Sequence, residues 1–84
     1  MEPKKFDGAN CVYGANQPEY QDLPAQRYGG SLGQVVTCWQ LSPEELQKVQ
    51  ETGEIWLSLL TFGNPLQPVM LTVEKPDKYV DFDE

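Results

Sequence analysis

Two cysteines and no histidine set the chemical inventory of this chain. Cys11 and Cys38 are its thiols, and a thiol turns nucleophilic when a neighbouring base or cation holds it as the thiolate. Without histidine there is no Cys-His pair, and one chain cannot assemble the four nitrogen or sulfur ligands of a structural zinc site. Cys38 stands in a segment of strand composition, where a buried free thiol is the expected state. A disulfide to Cys11 would need an oxidising compartment.

Paired carboxylates are the other source of acid-base chemistry. Glu44 and Glu45 follow a Ser-Pro pair, a position that capping and the helix dipole already explain. Asp81 and Asp83 fall in a short acidic-aromatic terminus. This inventory predicts a protein that is not an enzyme and carries neither metal nor cofactor. Gly29, Gly30 and Gly33 could offer backbone N–H groups to a phosphate. A phosphate loop stands between a strand and a helix, whereas these glycines precede a strand, so a flexible turn is expected.

Large aromatics remain as candidate binding residues: Trp39, Trp56 and Phe62 in the apolar half of the chain, and Tyr20 and Tyr28 in its Gly/Pro-rich half. Tyrosines or Trp39 stacking on a base, with residues 29–33 near a phosphate, would make a small-molecule binder that sequesters a nucleotide signal. A formal charge of -7, from thirteen acidic against six basic residues, works against that. It equally opposes nucleic acid and anionic membranes, and favours a basic protein partner.

The elements that would position these residues form a small α+β domain. Met1 to Gly33, broken by Pro3, Gly8, Gly14, Pro18, Pro24 and three further glycines, predicts a long irregular N-terminal arm. Its scattered Phe6, Val12, Tyr13, Tyr20, Leu23 and Tyr28 should pack on the domain. Gln34 to Gln40 reads as a first strand. Ser42, Pro43 and Glu45 make an N-cap, a first-turn proline and a capping box, with a Leu41–Leu46 staple. Gly53 then ends a helix of about three turns. The stripe of Leu46 and Val49 should cover one sheet face.

Glu54 to Phe62 follows, with Ile55, Leu57 and Leu59 on one side and Trp56, Leu60 and Phe62 on the other, the mark of a central strand apolar on both faces. A turn over residues 63–67 leads to Val69, Leu71 and Val73, which predict a third strand, antiparallel to the second. The expected architecture is thus a β-α-β-β core over residues 34–75 with a three-stranded sheet and one short helix, followed by a mobile acidic tail over 76–84.

One domain fits 84 residues, and a domain this small buries only about 60 to 65% of its unfolded surface. One helix cannot cover two apolar sheet faces. The face bearing Trp56, Leu60 and Phe62 therefore needs a lid, supplied by the arm or by a second subunit in a homodimer. The sequence has no apolar run of membrane-spanning length, and Met1 to Asn10 lacks a signal-peptide core, so a cytoplasmic protein is expected.

Along NQPEYQDLPA (residues 16 to 25), GQVVTCWQLSPEEL and TGEIWLSLLTFGNPLQPVMLTVEKP, the chain resembles a group of small proteins encoded by tailed bacteriophages and prophages. The match is carried by Pro18, Tyr20, Pro24, Cys38, Trp39, Ser42, Trp56, Pro65 and Pro68, among others. The group brings a context and no established activity. In that context of an infected host cell, the charge of -7 and the missing catalytic groups lead to the expectation of a protein that acts by binding, a host-takeover or anti-defence inhibitor that occupies a basic surface on a bacterial protein. Members of the group carry basic residues after the Trp-x-Leu-Ser element, where this chain has Pro43, Glu44 and Glu45.

Overall fold

The computed structural model describes residues 1–78. It has five short strands and one helix: β1 Glu2–Lys4, β2 Cys11–Tyr13, β3 Leu23–Arg27, β4 Val35–Val36, β5 Cys38–Gln40 and α1 Pro43–Thr52. The fold is mixed α+β, with two small antiparallel sheets, one of order β2-β3-β4 and one pairing β1 with β5.

The first correction concerns residues 1–33. They are not an irregular arm but the source of three of the five strands. β1 pairs with β5 in the register Glu2 with Gln40, Pro3 with Trp39 and Lys4 with Cys38. β2 pairs with β3 through Cys11 with Ala25, Val12 with Pro24 and Tyr13 with Leu23. The prolines fit because each stands where its strand has a ladder partner on one side alone. β1 has a neighbour on one side, and β4 reaches β3 only at Gln26 and Arg27, so Pro24 stands where its missing N–H interrupts no second ladder.

The strand expected over Gln34 to Gln40 forms as two pieces. Val35 and Val36 pair with Arg27 and Gln26, and after Thr37 the chain passes to the other sheet. Ala25 and Val36 are the buried hydrophobic residues among those described.

The helix follows its sequence signals closely. Ser42 Oγ accepts from the Glu45 N–H at 3.1 Å, and the Ser42 N–H donates to Glu45 Oε1 at 2.9 Å, closing the capping box. Gly53, at φ 67°, donates its N–H to Val49 O at 2.7 Å and ends the helix in the left-handed conformation. What the signals did not settle was packing. The helix contributes no buried residue, so the expectation that Leu46 and Val49 cover a sheet face fails.

A second correction concerns residues 54–73. Among the described residues no strand pairing includes any of them. The expected central and third strands, and with them the β-α-β-β core sheet, are absent. The physical reason lies in pairing: a strand is completed by a ladder partner, and in the N-terminal third β1 and β3 are already paired with residues 35–40 and β2 with β3. The predicted tail divides. Tyr79 to Glu84 lie outside the described residues, whereas Pro76 is half-buried and Asp77 and Lys78 contact the body.

Candidate binding surface

From the C-cap at Gly53 the chain runs without strand or helix to a turn over residues 61–64. The turn is closed by the Asn64 N–H on Thr61 O at 3.0 Å, with Phe62 at φ 54° and Gly63 at φ 82°. The far end is fixed by side chains. Lys75 Nζ donates to Asp7 O at 3.1 Å and sits 5.6 Å from the centroid of the Phe6 ring. Gln34 Nε2 donates to Asp77 O at 3.1 Å, and Lys78 Nζ lies 5.9 Å from the Tyr28 ring. Residues 54–74 are therefore an arm held at both ends.

The arm shows the period of two that its composition predicted. Ile55, Leu57 and Leu59 are 50, 50 and 48% exposed, while Trp56, Leu60 and Phe62 are 89, 81 and 88% exposed. One face is about half covered and the other almost fully open to solvent. Beyond the turn, Leu66, Val69, Leu71 and Val73 are exposed as well. A concavity of about 270 Å³ at the tip is lined by residues including Leu59, Phe62, Pro65 and Leu66.

The five aromatics named from sequence do not share one position. Trp56 and Phe62 stand on the solvent face of the arm. Trp39 lies on β5 opposite Pro3, partly exposed, its indole N–H donating to Thr37 Oγ1 at 3.1 Å. Tyr20 is exposed, its backbone N–H closing a turn on Gln17 O at 2.9 Å. Tyr28 is half-buried beneath Lys78 at the end of β3. Residues 29–33 connect β3 to β4, from strand to strand, with Gly30 at φ 91° and Gly33 at φ 60°. That is hairpin geometry and not the strand-to-helix setting of a phosphate loop. A second concavity, about 320 Å³, is lined by Lys5, Ala9, Asn10, Cys11, Val12 and Pro24, away from all five aromatics.

Both thiols are free and half-buried, with Cys11 Sγ 3.6 Å from Ala25 O. Sequence reasoning missed the role of Asn10, whose amide donates to Arg27 O at 3.0 Å and accepts from the Arg27 N–H at 2.8 Å, extending the β2–β3 ladder with a side chain. An Asn directly ahead of the Cys11-Val12-Tyr13 run was the available signal.

Electrostatics are dominated by carboxylates. The ion pair among the described residues joins the Met1 ammonium to Glu45 Oε2 at 2.6 Å. That ammonium, ahead of the Ser42 hydrogen bonds, holds the Glu45 carboxyl below its ordinary value of 4.5, against a smaller opposing effect of burial. Lys75 and Lys78 are set over aromatic rings, and Glu19, Asp22, Glu44, Glu54 and Glu74 are exposed. Among the described residues no helix is long and apolar enough to cross a membrane. Comparison with known protein families, with curated proteins and with solved structures found no match.

Proposed function

We propose that this chain is a phage-encoded, non-enzymatic binding protein of the infected cell's cytoplasm, occupying a basic surface on a bacterial protein in a takeover or anti-defence role. The observation that carries the reading is the unneutralised acidic surface. The formal charge is -7, the described ion pair uses the chain's own N-terminus, and two of the six basic side chains lie over aromatic rings. Such a surface steers and holds a basic partner through interactions that salt screens. The phage context rests on the resemblance along residues 16–25, 33–46 and 52–76.

Affinity capture from bacterial lysate at rising ionic strength tests this. A partner should bind near 0.1 M salt and be released towards 1 M, as the Debye length falls from about 10 Å to about 3 Å. The triple variant Glu19→Lys, Asp22→Lys, Glu44→Lys should lose it while keeping the wild-type circular dichroism. If no captured protein responds to salt or to the charge reversal, the reading is wrong. A nucleotide panel run beside it has a clear signature of its own, since a ligand at 100 times its Kd stabilises by about 2.7 kcal/mol.

A further inference from the structure

We infer that the arm of residues 54–74 is a self-association element, and that the surface covering Trp56, Leu60 and Phe62 in solution is a second copy of this chain. The inference does not rest on the proposed function, because the acidic surface and the arm are different parts of the molecule.

Surface area is the first argument. The chain exposes 7448 Å², whereas a compact monomer of its mass would expose about 5,000 Å². The excess is roughly 2,400 Å², and it stays above roughly 1,500 Å² even if residues 79–84 are counted as fully solvated. An excess of that size on each copy, about 3,000 to 5,000 Å² for a pair, is the area buried by obligate homo-oligomers and not by transient contacts. The radius of gyration agrees: 14.7 Å against about 12 Å for a compact chain of this length.

Necessity is the second. With Ala25 and Val36 as its buried hydrophobic residues, the single chain withdraws too little apolar surface from water to offset the conformational entropy of ordering 78 residues. Whatever covers the arm must be present whenever the chain is folded. A separate target is met later and at its own concentration; a second copy is made alongside the first.

Charge chooses the same occupant. Between Glu54 and Glu74 lie nineteen consecutive residues, 55–73, without a Lys, Arg, Asp or Glu. Two copies of a chain carrying -7 repel wherever carboxylates face each other, and this neutral arm is where they meet without that opposition. A basic target finds no complementary charge there. The sequence pattern suits self-pairing too, since a segment apolar on alternating sides and outside every described ladder can serve as a template for strand addition. Two such arms related by a twofold axis bury the same face of each.

Light scattering on the full-length protein provides the test. The wild type is expected at twice 9.5 kDa or a higher multiple, and the variant Leu60→Asp, Phe62→Asp at the monomer mass or unfolded. A monomeric wild type at 100 μM overturns the inference, and so does a double variant that keeps the wild-type mass. Because the double variant can fail to fold, a benzophenone amino acid at position 56 of the otherwise unaltered chain gives an independent readout. Cross-linking to a second copy is expected, and cross-linking solely within one chain, or none, overturns the inference. A lysate capture in which no protein responds to salt or to the charge reversal, with the assembly intact, would instead count against the proposed function alone.

Discussion

Lys75 Nζ donates to the carbonyl oxygen of Asp7 at 3.1 Å, a contact between residues 68 positions apart. With the Phe6 ring 5.6 Å away, it fastens the returning end of the apolar arm to the loop between β1 and β2. Lys75→Met keeps the aliphatic stem and removes the ammonium. It should lower stability by about 1 kcal/mol, the scale of one exposed charged hydrogen bond with a cation–π contact. Hydrogen exchange near residues 74–78 should quicken while that of α1 stays the same. An unchanged melting temperature together with unchanged exchange would show that this contact does not hold the arm.

Gly8 lies beside that contact. A Cβ built there would stand 2.9 Å from Lys75 Nζ and 2.9 Å from Gln26 Oε1, and the backbone is at φ 98°. Both neighbouring atoms end flexible side chains and can move, so the dihedral carries most of the cost. Gly8→Ala should destabilise by roughly 1–3 kcal/mol. Gly29 has open space around its missing Cβ and no positive φ, and Gly29→Ala should stay within about 0.5 kcal/mol of wild type. Equal denaturant midpoints for the two variants would refute the assignment of strain to Gly8.

How far the sequence was legible follows from these residues. The helix was readable because Ser42, Pro43, Glu45 and Gly53 act over a few positions, through bonds that the local backbone alone decides. The two faces of residues 55–62 were readable for the same reason, and they reappear in the alternation of exposure. What covers those faces is a long-range question. Periodicity calls for a sheet and cannot say whether the pairing strand lies in the same chain. The strands β1 to β3 escape a sequence reading because three to five residues are too short for a periodic signal, and Pro3 and Pro24 read as breaks although each stands where one side has no ladder partner. Of the candidate aromatics, Trp56 and Phe62 share a face of the arm while Tyr20, Tyr28 and Trp39 sit in separate settings, a dispersion that composition cannot reveal.

Ser42→Ala removes the hydroxyl that accepts the Glu45 N–H at 3.1 Å. The loss should be about 1 kcal/mol, with part of the helical circular dichroism lost at elevated temperature. Ser42→Asp can accept the same bond and should keep most of the stability. If alanine and aspartate melt alike, the cap does not contribute as the geometry indicates.

Glu45 supplies a pH dependence whose sign is fixed. Its folded carboxyl is held below the ordinary 4.5, first by the Met1 ammonium. The stabilisation is therefore complete above that ordinary value and is lost as pH falls through the lower folded value. The difference in melting temperature between wild type and Glu45→Gln should be largest near neutral pH and should shrink below pH 4.5. Taking the difference cancels the other carboxylates. A gap that widens on acidification would contradict the direction of the shift.

Trp56 offers a spectroscopic check on the arm. It is almost fully exposed in the single chain, while Trp39 is partly covered and bonded to Thr37. In the Trp39→Phe variant all indole emission comes from Trp56. If a second copy covers the arm, that emission should be blue-shifted and shielded from acrylamide at high protein concentration. Dilution, or the added pair Leu60→Asp and Phe62→Asp, should shift it to the red and expose it to the quencher. The change should follow the mass measured by light scattering, since both report the same contact. An assembled protein whose Trp56 remains as quenchable as free tryptophan would place the interface elsewhere and leave the apolar face of the arm uncovered.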